Sequence, residues 1–303
     1  MPEILIDGFR FSRWAGGKQL LVVESDRLPE CIEYCNQKQI NWLHISPYHG
    51  YHLDNVDFLC ECKHVTGISM QRGFSDYGGL YQLPRLASLS VIFTHDIRLS
   101  ELPALSDLST DWSPQIEGTL LAAKLLKRLW LRGYKPKCRD LSQMEALKHL
   151  DDLHIILSPI RSVRGIEALS KLKKLGLSYC YQLEDIRPIS KLAGALQELE
   201  ISHCKKIKDI TYIRVLKRLR KAILSDSGNI SSLNFIRRMP RLEFLSFVGT
   251  NVLDGDMTPC FKLKYAGFLK KRHYSHSPEQ VADIIGSKTP VRGSANQTKT
   301  HLS

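Results

Sequence analysis

The side chains best equipped for chemistry in this sequence are its histidines, cysteines and tryptophans, and their spacing limits what they can do. His273 and His276 stand three apart in the basic run Lys270–His276. A metal site needs further ligands beside such a pair, and none is near in sequence, so the run reads as a structural linker. Cys60 and Cys62, or Cys31 with Cys35, would chelate only if the fold joined them, and no CxxC pair occurs among the eight cysteines. The sequence holds no phosphate-binding glycine loop, no GxSxG elbow and no HExxH. No catalytic residue, metal or cofactor is therefore expected. The chemistry that remains is recognition: Trp112, Trp130, His154, Tyr179 and His203 are residue types that anchor binding surfaces when a rigid scaffold exposes them.

Those side chains need elements to position them, and the elements are a repeat. Leu172, Leu175, Leu177 and Cys180 fit the pattern LxxLxLxxC, and Leu196, Leu199, Ile201 and Cys204 fit it again. Extending the frame gives eleven units starting at Ile40, Val65, Leu86, Leu105, Leu126, Leu150, Leu172, Leu196, Leu219, Leu242 and Leu263, spaced 19 to 25 residues apart. Of the 33 template positions only Thr110 is not apolar, where the overall composition would place about 14 apolar residues by chance. The fourth and sixth residues of each unit alternate inward as a short strand does. The return segments carry apolar residues every third position: Ile160, Val163, Ile166, Leu169; Ile207, Ile210, Ile213, Leu216; Leu53, Val56, Leu59, Cys62. A period of three suits a 3₁₀-like return better than an α-helix.

This pattern resembles the leucine-rich-repeat superfamily, in particular the class with units of roughly 22 residues found in internalins. The resemblance covers residues 40–270, and Asp185-Ile186 and Asp209-Ile210 match that class's return segment. It implies an α/β fold: a solenoid with a curved parallel β-sheet and a thin 3₁₀ or irregular convex side. The departure lies at the motif's polar position, where Ser158, Cys180, Cys204, Ser227 and Thr250 replace the usual Asn. An asparagine ladder is not expected for much of the array.

In such a sheet the outward concave side chains come from the third, fifth and seventh residues of each unit. The third position reads Asp107, Arg128, Asp152, Lys174, Glu198, Lys221, charges alternating across six units. Two readings compete: a self-satisfying cross-strand ladder, or a row in which Arg128 and Glu198 meet a partner's charges. Trp42, His44, Trp130, His154, Phe244 and Tyr265 share the outward positions, with Phe93, Trp112, Tyr179 and His203 just past the strands. Trp112, Trp130, His154 and Tyr179 would form one patch from four units, unless some rings tuck against neighbours. Lys171, Lys173, Lys217, Arg218, Arg220 and Arg241 fall near strand starts and would stack into a basic flank. That flank is either a solubilising edge or a dock for nucleic acid or an anionic surface.

Forty-three Lys and Arg against 31 Asp and Glu give a net charge of +12, which attracts acidic partners without naming one. No apolar run suffices for a membrane span, and the first residues do not form a secretory signal. The expected organisation is an N-terminal cap of hairpin plus short helix (1–38), the array (39–272), a helical cap (273–286) begun by the capping box Ser277-Pro278-Glu279-Gln280 and ended at Gly286, and a disordered tail (287–303). The expected protein is a cytoplasmic, monomeric, non-enzymatic scaffold that binds another protein on its concave face, as an inhibitor, regulator or immunity-type protein.

Overall fold

The computed structural model describes residues 3–14, 17–71, 74–92 and 97–287. Eleven of its strands come from the repeat: β4 (Trp42–Ile45), β5 (Gly67–Met70), β6 (Ser88–Val91), β7 (Asp107–Asp111), β8 (Arg128–Arg132), β9 (Asp152–Ile156), β10 (Lys174–Ser178), β11 (Glu198–Ser202), β12 (Lys221–Ser225), β14 (Phe244–Ser246) and β16 (Tyr265–Gly267). They pair in parallel in sequence order. Register is constant along the stack: Leu129 lies beside Leu153, Leu153 beside Leu175, Leu175 beside Leu199 and Leu199 beside Ala222. Apolar residues thus face one another across every interface, and a one-residue slip would turn each of them out. Thr110, the exception to the pattern, is buried with its hydroxyl donating to Asp111 O at 3.2 Å.

The convex returns are mostly 3₁₀ turns, including Ile166–Ala168, Arg187–Leu192, Ile210–Val215 and Leu233–Arg238. Their every-third-residue side chains fill the core, as Ile160, Val163, Ile166 and Leu169 show. Leu53 does not: it is 44% exposed, so the first return contributes only Val56, Leu59 and Cys62. One return is an α-helix, α2 (Pro114–Leu120), begun by Ser113 accepting from Ile116 N. A minor parallel pair, β13 (Asn229–Ile230) with β15 (Asn251–Val252), adds to the late turns.

The polar position forms a ladder without asparagine. Thr250 Oγ1 accepts from Ser227 N at 3.0 Å and donates to Leu224 O at 2.6 Å. Ser227 Oγ accepts from Cys204 N at 3.1 Å and donates to Ser225 O at 2.7 Å. Cys204 Sγ donates to Leu177 O at 3.4 Å, and Ser158 Oγ to Tyr134 O at 2.5 Å. Hydrogen bonding to Cys204, together with burial, holds the Cys180 thiol protonated, far above the ordinary thiol range. Hydroxyls and thiols therefore satisfy the buried turn backbone that asparagine would otherwise serve.

The N-terminal region differs from a two-stranded hairpin. Three strands, β1 (Glu3–Ile6), β2 (Phe9–Arg13) and β3 (Gln19–Val23), form an antiparallel meander, and β3 then pairs in parallel with β4. The extra strand follows from Asp7-Gly8, both at positive φ, a two-residue turn that reverses the chain. Helix α1 (Leu28–Gln37) packs beside β3. At the other end α3 (Pro278–Ser287) begins with the expected reciprocal bonds, Gln280 N to Ser277 Oγ at 3.3 Å and Ser277 N to Gln280 Oε1 at 2.7 Å. It continues past Gly286 to Ser287. Residues 288–303, the rest of the expected tail, lie outside the described residues.

A histidine joins the meander to the array. His44 is buried, with Nδ1 3.3 Å from Ser69 Oγ and Nε2 3.1 Å from His49 Nδ1. His49 Nε2 lies 3.2 Å from Glu3, which also pairs with Arg10. Burial, then the charge of His49, pushes the His44 imidazole down to about 4. Protonation then favours the unfolded chain, so stability is full above pH 6.5 and falls as pH drops from there towards 4. This contributes up to about 3 kcal/mol. In urea unfolding at pH 7.5 and 4.5, His44→Gln should lose less stability on acidification than wild type. In the ladder, Thr250→Val should cost about 1–3 kcal/mol at neutral pH by leaving buried backbone groups unpaired, read as a lower denaturation midpoint.

Candidate functional site on the concave face

The lateral register places Asp107, Arg128, Asp152, Lys174, Glu198 and Lys221 side by side. The charges do not form one continuous chain. Arg128 pairs with Asp107, and Lys174 Nζ lies 2.9 Å from Glu198 Oε1. The hydrogen bond that it donates to Glu198 raises the Lys174 ammonium above its ordinary range. Asp152 instead lies 3.0 Å from His154 Nε2 on its own strand, and the Lys221 ammonium sits 5.4 Å over the Phe244 ring. Exposed pairs of this kind contribute a few tenths of a kcal/mol to about 1 kcal/mol each, so their main effect is to fix side-chain positions.

Beside that row runs a second, of contrasting size. Trp130 and His154 stack at 3.9 Å with planes 17° apart, and Trp130 is 44% exposed. The next residue across is Gly176, where a Cβ would collide with the His154 imidazole. The glycine is thus the space in which the histidine lies. On the other side of Trp130 come Ser109, Ser90 and Ser69, all small. Trp42 repeats the device nearer the N-terminus: its indole lies across Gly67, and Lys18 Nζ rests 3.7 Å from the ring centroid. His44, by contrast, faces no solvent.

A third row lies at the strand ends, where the eighth residue of six consecutive units has positive φ: Gly133, Leu157, Tyr179, His203, Asp226 and Gly249. Four consecutive non-glycine residues hold a left-handed backbone that disfavours a Cβ. The side chains of the last three interlock. Tyr179 stacks on His203 at 4.3 Å and 16°, His203 Nε2 lies 3.6 Å from Asp226 Oδ2, and Asp226 leans over Gly249. Tyr181 meets Tyr179 edge-on at 6.0 Å. Residue types at one frame position, with Gly133 and Gly249 at either end, are the signal by which this row is detectable in sequence.

The four-residue patch expected from sequence therefore divides. Trp130 and His154 form one stack, and Tyr179 with His203 forms another. Trp112 belongs to neither: its ring packs half-buried against the core, its indole N–H is buried without a hydrogen-bond partner, and no ring contact joins it to Trp130 among the described residues. The reason is local. Trp112 N continues the sheet by donating to Arg132 O at 2.7 Å, and the chain then turns into α2 instead of adopting the left-handed bend. Phe93 lies outside the described residues.

The basic residues are all exposed, with unequal duties. Lys217 Nζ donates to Arg238 O at 2.9 Å, holding a 3₁₀ turn end. Arg220 and Lys264 share Glu243, and Lys173 lies 4.0 Å from Asp151. Lys171, Lys173 and Arg218, with Lys127, border a depression of about 440 Å³, and Arg241 stands exposed further along. His273 and His276 face different partners, Val252 O and Ser275 Oγ, both at 2.9 Å. No group of three or more metal-binding side chains occurs among the described residues, nor any helix long and apolar enough to cross a membrane.

The tetrad register, the buried every-third-residue returns and the polar ladder together decide the architecture. The fold is a leucine-rich-repeat solenoid. No protein-family model matches the sequence and no curated protein does. Among solved structures the solenoid is similar to an internalin from Listeria monocytogenes, with 14% identity over 84% of this chain and 87% of that one and a TM-score of 0.49. It is also similar to a TDR receptor, with 15% identity, 78% of this chain covered and a TM-score of 0.46. The match covers 49% of that receptor's length. Neither likeness carries a partner to this solenoid.

Replacing Leu157, the left-handed residue without a ring partner, by glycine should stabilise the fold by about 0.5–1 kcal/mol, because the Cβ strain is removed. Leu157→Ala should bring no such gain. Urea midpoints of the two variants check this, and an equal response would remove the strain argument.

Proposed function

We propose that this solenoid is a non-enzymatic scaffold that binds a partner protein on its concave face, as an inhibitor, regulator or immunity-type protein acting as a cytoplasmic monomer. The proposal treats residues 1–38 and 273–286 as caps and residues 39–272 as the working array. The observation that carries it is the pair of stacks, Trp130 on His154 and Tyr179 on His203, exposed on a rigid sheet. Stacked rings have already lost their rotamer freedom, so a partner that covers them incurs little further ordering cost. Arg128 and Glu198, each held by a neighbour, would supply orientation around these anchors. The combined variant Trp130→Ala with Tyr179→Ala should weaken partner capture by about 30-fold or more, the loss typical of anchor residues, with thermal unfolding little changed. Affinity capture from lysate with untargeted identification, wild type against variant, is the measurement. Partners retained equally by both would refute the concave-face reading.

A second reading is favoured by the depression bordered by Lys127, Lys171, Lys173 and Arg218, which gathers positive charge around one recess. Nucleic acid or an anionic surface would dock there. Retention on heparin that falls steeply with salt, and falls again in Lys171→Glu with Arg218→Glu, is the expected result. No retention at low salt would exclude it.

A further inference from the structure

Between Trp42 and the Trp130–His154 stack the concave face is hollow, and the hollow has its own chemistry. A groove of about 440 Å³ lies over β6 and β7, with Trp42 towards one end and Trp130 towards the other. Because His154 covers the face of Trp130 that looks towards β9, the opposite face of the indole looks into the groove over Ser109. The floor is made of Ser88, Ser90 and Ser109, whose hydroxyls form no hydrogen bond with other described residues. Ser69, one strand further, differs because His44 engages it. Asp107 and Arg128 stand at the same wall and neutralise each other, while Lys18 rests its charge on the Trp42 ring. Burial and the nearby Arg128 lower the Lys18 ammonium, which agrees with both cations bordering one recess.

These features select a ligand. A phosphorylated or strongly acidic group would find the Arg128 charge already engaged by Asp107, and a purely apolar ring would leave the serine hydroxyls covered without partners, at a cost. A hydroxyl both donates and accepts, so a row of rotatable serine hydroxyls is matched by a ligand whose groups share that duality. A flat aromatic face beside such a row is suited to the C–H face of a saturated ring. Ser90 and Ser109 stand opposite each other on adjacent strands about 4.8 Å apart, comparable with alternate hydroxyls around a six-membered sugar, while Ser88 lies two residues along the strand of Ser90.

We propose that the groove between Trp42 and Trp130 is a saccharide subsite, in which one pyranose ring stacks on Trp130 and hydrogen-bonds Ser88, Ser90, Ser109 and the Asp107–Arg128 pair. It rests on the concave face being the working surface but is independent of protein capture through Tyr179 and His203. The sugar is either free or part of a glycan carried by the partner.

The four tryptophans give a built-in assay, since Trp14, Trp42 and Trp130 line the groove while Trp112 packs on the core. The full chain, labelled with ¹⁵N at tryptophan, is titrated with methyl glucoside, methyl galactoside, N-acetylglucosamine and glucuronate, each to about 50 mM to cover millimolar affinities. At least one sugar should shift the Trp130 and Trp42 indole signals and leave Trp112 in place. Ser90→Ala with Ser109→Ala should weaken that sugar about tenfold, and Ser109→Leu, which fills the floor, should abolish it, with unfolding midpoints showing that both variants fold. Protein capture unaffected by the serine pair separates this subsite from the protein-binding reading. A tighter response to an oligosaccharide or glycopeptide than to the free sugar identifies the attached source, and an equal response identifies the free one. No Trp130 shift with any sugar, an equal shift with phenol, or full binding by Ser109→Leu would overturn the proposal.

Discussion

Everything on the concave face depends on the lateral register of the repeat, and register depends on how each turn leaves its strand. At that exit a hydroxyl or thiol reaches back to the preceding unit, so Thr250 holds Ser227, Ser227 holds Cys204, and Cys204 reaches the Leu177 carbonyl. Such bonds contribute only about 1 kcal/mol each net, but leaving the buried groups unpaired would cost more. Their strength is in repetition, since each one sets the spacing that the next inherits.

The strands and returns were legible because burial imposes a pattern that composition alone does not produce. Leu172, Leu175 and Leu177 must be apolar, and apolar equivalents recur in every unit apart from Thr110. The strand β2 was less legible, since Phe9 and Phe11 alternate over too few residues to stand out, although Asp7-Gly8 marks its start. The concave face was legible as a set of positions and not as a set of contacts. The frame placed Trp130, His154, Tyr179 and His203 outward but not which rings would stack. Trp112 shares the eighth position with Tyr179, yet Ser113-Pro114 behind it begin a helix and draw its ring onto the core. The glycines that receive side chains, Gly67 and Gly176, became informative only once neighbours were fixed, because their role is to be absent.

Two costs are visible on the concave face. Leu157, Tyr179, His203 and Asp226 keep a left-handed backbone at a position where glycine would be relaxed, and the indole N–H of Trp112 is buried without a partner. Both sit within or beside the aromatic rows, although Arg139 in one return is left-handed as well. The left-handed run from Leu157 to Asp226 is nonetheless concentrated on the edge that carries the Tyr179–His203 stack.

The contrast between core and face bears on how such an array can change length. Removing residues 172–195 would bring Leu153 beside Leu199 and Ile155 beside Ile201, a junction the interior would accept without adjustment. On the outside it would set Asp152 against Glu198 and place His154 over Glu200 instead of Gly176. The interior is periodic and its units are exchangeable, whereas the exterior is written once, in order, and a whole-unit duplication or loss would scramble its meaning while sparing the fold.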